Sequence, residues 1–353
     1  MIKASRQMPR LGKLLGLIIL AAAIGAGILA VNFYWLAPTE VFAPPRTLTI
    51  EPGQSFREVA RALSAAGVVR SGTAMLLYGE ATGDARRIKP GDYAFRGGER
   101  IPDVMRHLVA GDFIVVTIVI PEGLTVHQIA ERLSAAGLVC QTEFEDAALH
   151  GAVVRALGLM PLGAEGYLFP ATYKFSPRAT IDGILVAMLT RFYRVLTPAV
   201  EERMFDLGLT ARSTVTMASI IEKEAKAPGE RGLIAGVFYN RLRIGMPLQS
   251  DPTAEYSLDG AGTAAAAVRT PSAFNTYERA GLPPGPIANP GFSSIEAALY
   301  PAPSGYLYFV ARDDGTHVFS KTFDEHKRAI AALKRTAERA PAQRQPGAEH
   351  RAN

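Results

Sequence analysis

Cysteine is almost absent from this sequence: Cys140 is the single example in 353 residues, so no disulfide can form within the chain. No basic residue stands beside it, and we expect a small buried residue rather than a redox or nucleophilic centre. The six histidines are scattered, without HExxH or paired-cysteine spacing, so metal catalysis lacks support. P-loop, dinucleotide-binding and GxSxG motifs are also missing. We therefore predict no metal and no cofactor.

Acidic residues are absent from the first 13 positions, where Lys3, Arg6, Arg10 and Lys13 carry four of the five net positive charges. The rest of the chain is close to neutral and lacks the basic footprint of a nucleic-acid-binding protein. No nucleic-acid partner is therefore predicted. The hydrophobic content of 48% and the length predict two or three folded units.

Eighteen uncharged residues, 14–31, are followed by three aromatic residues at 33–35. Such a run is long enough to cross a bilayer, with the aromatic residues at the interface. We predict a cytoplasmic tail over 1–13 and a single transmembrane anchor over 14–36, in the inner membrane with the later domains in the periplasm. A cleaved signal peptide is the alternative, since residues 41–43 loosely resemble a cleavage site, but the apolar run exceeds the usual ~7–15 residues.

An internal repeat relates residues 48–69 to residues 117–139. In each copy a β-rich run leads to a Ser or Thr suited to cap an amphipathic helix, and a glycine ends that helix. The cap and stop residues are Ser55 and Gly67 in the first copy, Thr125 and Gly137 in the second. Such modules resemble LysM-like domains, which bind amino-sugar glycans, and we predict a LysM-like repeat region over 46–160. A purely structural spacer is the alternative.

The third region, residues 161–337, is predicted to be α+β. Its long segment 245–293 is rich in Gly, Pro, Ser, Thr and Asn, and long ordered loops inside a domain are usually functional. The last residues, 338–353, are predicted to form a disordered tail. The predicted elements are helices at about 181–195, 197–207, 213–226 and 231–243 and a hairpin over 306–322 that turns at Asp314 and Gly315.

The helix predicted over 213–226 carries two glutamates, Glu222 and Glu224, at different distances from its apolar face. Glu224 lies roughly 60° from the centre of the apolar face and Glu222 roughly 100°. Residues two apart do not face each other, so they cannot flank one bond as a carboxylate pair. Desolvation beside Met217 and its apolar neighbours would raise the pKa of Glu224 toward the range of a general acid. The alternative is a surface ion pair, for example Glu222 with Lys226.

Several long motifs together resemble one known family. SIIEKE, VFYNRLRIGMPLQSDPT, FNTYERAGLPPGPIANPG and YLYFVA occur in order and closely resemble the YceG-like family of endolytic murein transglycosylases. The resemblance implies cleavage of the β-1,4 bond between N-acetylmuramic acid and N-acetylglucosamine in nascent peptidoglycan, leaving 1,6-anhydro-muramyl ends. The catalytic glutamate of the family matches the second acid of EKE, Glu224. Cell-wall synthases are the implied protein partners, and residues 161–337 become the expected catalytic domain.

The long polar segment supplies the expected substrate contacts. Amides, hydroxyls and aromatic rings suit sugar hydroxyls and N-acetyl groups, although ordinary turn chemistry is the alternative. Residues 274–277 also look similar to a motif that lines the cleft of related lytic transglycosylases. The predicted substrate-binding residues are Glu222, Asn240, Gln249, Asp251, Thr253, Asn275 and Tyr277.

Two other functions remain open from the sequence. A muramidase-type hydrolase would need a second carboxylate or a positioned water, with Asp251 as the leading candidate, and would leave reducing ends. A non-catalytic, membrane-anchored scaffold would bind peptidoglycan through the repeat region alone. The products formed by the protein, and their dependence on Glu224, separate the three.

Overall fold

The computed structural model describes residues 8–30, 37–256 and 263–339 as a mixed α+β structure. The chain divides after Val116 into two compact units. Three separate two-stranded sheets occur in the described ranges. The predicted aromatic belt at 33–35, the start of the cytoplasmic tail and nearly all of the predicted C-terminal tail lie outside the described residues.

The N-terminal helix α1, Met8–Ala30, contains residues 14–30 of the apolar run identified in the sequence. Its large apolar side chains are exposed, with 58% of Leu14 and 71% of Leu29 accessible to solvent. Within the described ranges no single helix is long and apolar enough to cross a membrane; one pair bent by 66°, Ile181–Tyr193 with Pro198–Asp206, passes the same test by length and composition only.

The first unit pairs two strands against three helices. Leu48 lies opposite Tyr93 in the antiparallel sheet, and the core behind it includes the fully buried Val59, Leu63 and Phe95. The elements are β1 Arg46–Ile50, α2 Phe56–Ala65, α3 Gly72–Thr82, β2 Gly91–Phe95 and α4 Ile101–Ala110.

The second unit is mostly helical. Helix α10 packs closely against α14 and also against α11. The elements are β3 Val116–Ile120, α5 Val126–Ala135, α6 Gln141–His150, α7 Ala152–Ala156, β4 Ala171–Phe175, α8 Ile181–Tyr193, α9 Pro198–Asp206, α10 Ala211–Glu224, α11 Arg231–Arg243, α12 Asp251–Tyr256, α13 Ala264–Ala267, α14 Phe292–Leu299, β5 Tyr308–Ala311, β6 His317–Ser320 and α15 Phe323–Arg339.

The local structure predicted for the repeat is confirmed. Ser55 caps α2 and Thr125 caps α5, each within a capping box. Gly67 and Gly137 follow these helices with φ of 69° and 70°, a conformation that glycine adopts without steric cost. The two copies lie in different units because the division falls after Val116. The boundary at residues 160 and 161 stays a prediction.

The prediction for Cys140 is wrong. The residue is exposed and immediately precedes the first residue of α6, in an extended conformation. Its thiol lies 3.4 Å from the hydroxyl of Thr142. A position at a helix terminus takes no part in the apolar face of the helix, which explains why the residue does not enter the core.

Candidate active site

Helix α10 places Glu224 at its last position, three residues after the buried stretch 214–221. Val215, Met217 and Ile221 are at most 1% exposed, so they fix the helix within the core. Burial raises the pKa of Glu224 to about 7, and the negative charges of Asp251 and Glu255 act in the same direction. The sequence-based expectation of a desolvated carboxyl group at this position therefore agrees with the structure.

Among the described residues, Ser250 is the close hydrogen-bond partner of the Glu224 carboxyl group. The hydroxyl of Ser250 donates to Oε1 of Glu224 at 2.6 Å. This bond stabilises the carboxylate and lowers the pKa of Glu224, as does the positive charge of Arg241, but burial outweighs both. A carboxyl group with a pKa near neutrality can both donate and accept a proton at physiological pH.

Glu224 lies in a cleft of about 380 Å³. Polar groups and aromatic rings share its walls, a composition suited to a polar ligand with apolar faces. Its lining residues are Glu224, Arg241, Gln249, Asp251, Tyr277, Tyr308, Phe309, Ala311, His317, Phe323 and His326.

The loop before α12 brings Ser250 to Glu224. Gln249 has φ of 49°, an uncommon backbone conformation for a residue other than glycine. Its N–H donates to the carbonyl of Thr276 at 3.1 Å, and the N–H of Ser250 donates to the Thr276 hydroxyl at 3.1 Å. The loop is therefore fastened to Thr276 both at Ser250, the residue that contacts Glu224, and at the residue before it.

Asp251 and Tyr277 form the opposite polar pair in the cleft. The phenol of Tyr277 donates to Oδ1 of Asp251 at 2.5 Å. Burial together with this carboxylate raises the pKa of Tyr277 above its usual range, so the phenol stays protonated. Asp251 itself is exposed to the cleft, which leaves its second oxygen open to a ligand.

Arg241 holds the cleft wall together from within. Its Nε donates to the carbonyl of Leu307 at 2.6 Å, and its Nη1 donates to the carbonyl of Leu248 at 2.7 Å. Its guanidinium also lies 5.3 Å from the ring centre of Tyr308. One buried cation thus joins α11, the loop before α12 and the strand β5.

Three of the seven predicted substrate-binding residues line the cleft, and four do not. Gln249, Asp251 and Tyr277 line it. The remaining side chains are engaged within the protein. The structure places these four, Glu222, Asn240, Thr253 and Asn275, in other hydrogen-bonding networks.

Glu222 and Asn240 connect chain segments. Glu222 accepts from the N–H of Gly291 at 3.0 Å and from Arg231 at 3.4 Å, and its side chain is only 7% exposed. The partner of Glu222 is therefore Arg231 rather than Lys226. The amide of Asn240 donates to two backbone carbonyls, at 2.8 and 2.9 Å, in the segment before β5.

Thr253 and Asn275 are fully buried supports of the two loops. The Thr253 hydroxyl lies 2.7 Å from that of Thr276. The amide of Asn275 donates to the carbonyls of Val268 and Thr270, both at 3.0 Å, and its oxygen accepts from the N–H of Tyr277 at 3.0 Å. Their polar atoms shape the loops that carry Ser250 and Tyr277, which is the turn chemistry weighed as an alternative.

The sequence analysis missed several cleft residues. Ser250 stands between two predicted residues, and only its contact with Glu224 distinguishes it. Arg241 follows Asn240 in the helix, where an arginine ordinarily indicates a solvated face. The aromatic residues and histidines of the C-terminal hairpin and of α15 carry no local signal, since they reach the cleft only through the tertiary fold.

A second carboxyl group with a raised pKa lies outside the cleft lining. Glu165 is 4% exposed, and burial raises its pKa to about 7. It accepts hydrogen bonds from the N–H of Val126 at 3.2 and 3.1 Å and from the amide of Asn289 at 3.0 Å. The N-terminus of α5 is thereby joined to the segment before α14, an arrangement that supports the fold. No group of three or more His, Cys, Asp or Glu in the described part of the chain is arranged to hold a metal ion.

Comparison with known proteins matches the model of the YceG-like family to residues 48–332. The chain belongs to the YceG-like family. The match includes both copies of the repeat and every residue that lines the cleft. The YceG-like character therefore extends over both units.

Relatives agree with this assignment. An endolytic murein transglycosylase of Bacillus subtilis is 35% identical over 306 residues, which cover 80% of this chain and 83% of that protein. An endolytic murein transglycosylase of Streptococcus pneumoniae is 30% identical over 319 residues; the match covers 81% of this chain but 58% of that longer protein. A crystal structure of a YceG-like protein from Listeria monocytogenes has a TM-score of 0.57 and 32% identity, covering 82% of this chain and 99% of that one.

Proposed function

We propose that this protein is an endolytic peptidoglycan lytic transglycosylase. It cleaves the β-1,4 bond between N-acetylmuramic acid and N-acetylglucosamine within nascent strands, leaves 1,6-anhydro-muramyl ends and so terminates strand elongation. The observation that carries the proposal is Glu224, a carboxyl group with a pKa of about 7 in a cleft of polar and aromatic residues. The names of the relatives from Bacillus and Streptococcus give the proposal its substrate.

Glu224 performs both proton transfers in this mechanism. Its protonated form donates to the glycosidic oxygen as the bond from that oxygen to C1 of the muramic acid breaks. The C6 hydroxyl oxygen of the same sugar then bonds to C1, and its proton passes to the Glu224 carboxylate. The acid is regenerated and no water is consumed. Because the nucleophile belongs to the substrate, its effective concentration is high and no second carboxylate is needed.

The neighbours of Glu224 stabilise the charges that form during the reaction and bind the substrate. Ser250 stabilises the carboxylate that exists between the two proton transfers. Asp251 supplies negative charge near the oxocarbenium-like centre, and the phenol of Tyr277 fixes its orientation. Gln249 faces the cleft with an amide that suits sugar hydroxyls.

The parts outside the cleft serve the same substrate. We propose that the apolar N-terminal segment anchors the chain in the inner membrane with residues 46–337 in the periplasm. The LysM-like repeat region then holds glycan strands, and residues 161–337 act as the catalytic domain. Cell-wall synthases that release nascent strands at the membrane are the corresponding protein partners.

Digestion of uncrosslinked strands by the full-length protein, in water labelled with heavy oxygen, tests this function. Mass spectrometry should find anhydro-muramyl ends without label, since water takes no part. Labelled reducing ends would instead identify a muramidase-type hydrolase, with Asp251 as the second carboxylate. Strands that stay intact while still binding the protein would favour the non-catalytic scaffold.

A further inference from the structure

The cleft continues from Glu224 to the C-terminal part of the second unit. There Tyr308 of β5 meets Phe323 and His326 of the first turn of α15; we call these three residues the aromatic end. The ring centres of Tyr308 and His326 are 5.3 Å apart with an angle of 23°, and those of Tyr308 and Phe323 are 5.7 Å apart. All three residues line the cavity that contains Glu224. None of them is needed for the proton transfers.

Phe323 presents a large apolar surface at this end of the cleft. It is 56% exposed, whereas the Phe238 and Phe192 rings elsewhere in the unit are 1% exposed. The Lys327 ammonium lies over the Phe323 ring, 5.1 Å from its centre. The Tyr308 ring is less exposed, because His326 stacks on it and Arg241 lies near it. An exposed aromatic ring inside a polar cleft is typical of a binding surface for ligands with an apolar face.

His326 adds a polar group beside this ring. Its Nδ1 is buried and has no hydrogen-bond partner among the described residues. Burial and the positive charge of Arg241 lower the pKa of His326, so the imidazole is neutral and carries one N–H. An unpaired buried acceptor is tolerated better than an unpaired buried donor, which favours the proton on Nε2. The ring then offers a hydrogen-bond donor to a ligand in the cleft.

We propose that the aromatic end is a sugar-binding subsite. The Phe323 ring covers the apolar face of one pyranose ring of the strand, and Nε2 of His326 donates to the acetamido oxygen of that sugar. The subsite rests on the proposed function, because it takes a sugar of the same strand that Glu224 cleaves. The subsite binds a sugar at a distance from the bond that is cleaved. It therefore contributes to strand binding rather than to bond cleavage.

Strand binding by full-length protein carrying Glu224→Gln tests the subsite without cleavage. Adding Phe323→Ala should weaken binding about tenfold, as expected for loss of a half-exposed ring that a ligand covers. Phe323→Trp should retain binding. His326→Phe, which keeps an aromatic ring but lacks the nitrogens, should weaken binding by about threefold to tenfold. Phe205→Ala is the matched control, since Phe205 is 85% exposed and lies outside the cleft lining.

Two outcomes would overturn the subsite. One is binding by Phe323→Ala that equals the Phe205→Ala control. The other is a loss that disappears on strands stripped of stem peptides, which would assign the aromatic end to the peptide rather than to a sugar. Cleavage assays with Glu224 intact separate the two proposals. Phe323→Ala should raise KM and still form anhydro ends, whereas a wild-type protein that forms no such ends contradicts the proposed function whatever the binding result.

Discussion

The hydrogen bond from Ser250 to Glu224 makes a quantitative prediction about pH dependence. The Ser250 hydroxyl donates to Oε1 of Glu224 at 2.6 Å and favours the charged form. A hydrogen bond to a charged group contributes about 1.5–3 kcal/mol, or about 1–2 pKa units. Because water in the cleft replaces part of the bond, we expect Ser250→Ala to raise the pKa of Glu224 by about one unit.

Since the protonated form of Glu224 starts the reaction, kcat/KM should fall as pH rises through about 7 in the wild type. In Ser250→Ala this decline should move to about pH 8, because the acid stays protonated to higher pH. The value of kcat/KM at low pH, where it is constant, should be about threefold lower in Ser250→Ala than in the wild type, because a weaker acid donates its proton less readily.

Initial rates of anhydro-end formation by full-length protein between pH 5 and pH 9 measure both effects. Ser293→Ala, an exposed serine outside the cleft, should reproduce the wild-type profile. A decline that stays in place or moves to lower pH in Ser250→Ala would refute the role assigned to this hydrogen bond.

Three further changes test other parts of the structure. Asp251→Asn removes a charge that raises the pKa of Glu224, so the decline in kcat/KM should move to lower pH; a move to higher pH contradicts this. Glu165→Gln removes a carboxyl group whose pKa is raised from 4.5 to about 7. In the wild type, this carboxyl group contributes fully to stability below pH 4.5, and the contribution is lost as pH rises through 7. Urea unfolding should show the wild type losing up to about 3 kcal/mol more stability than Glu165→Gln between pH 4.5 and pH 8, and equal losses would be evidence against the raised pKa. Asn240→Ala leaves two carbonyls without their donor and should lower the free energy of unfolding in urea by about 2–4 kcal/mol. A higher KM at unchanged stability would instead indicate that Asn240 binds substrate.

Local patterns predicted the secondary structure well. The helices expected at about 181–195, 197–207 and 231–243 match α8, α9 and α11 within two residues, and the hairpin turns where Asp314 and Gly315 predicted. These elements depend on periodicity, caps and turns within a few residues of each other. The exposure of Cys140 could not be predicted from its residue type, because residue type alone does not determine whether a position at a helix terminus is buried.

Sequence patterns predicted a cleft residue only where its position on a helix face determines the burial of its side chain. Glu224 follows from its angle to the apolar side of α10, and its raised pKa agrees with that reasoning. Asn240, Thr253 and Asn275 have the same residue types as sugar ligands, but their side chains bond within the protein. The partners are backbone carbonyls for the two asparagines, up to 66 residues away, and include the hydroxyl of Thr276, 23 residues away, for Thr253. Sequence patterns do not report such long-range hydrogen bonds, and for the same reason the aromatic end of the cleft escaped prediction.

The central claim is that one carboxyl group, that of Glu224, performs both proton transfers. Its most direct test is mass spectrometry of strands digested by full-length wild type, Glu224→Gln and the exposed-acid control Glu296→Gln. The account predicts anhydro-muramyl ends from the wild type and from Glu296→Gln, and a rate at least about a thousandfold lower for Glu224→Gln with unchanged folding. Anhydro ends formed by Glu224→Gln at close to the wild-type rate would contradict it.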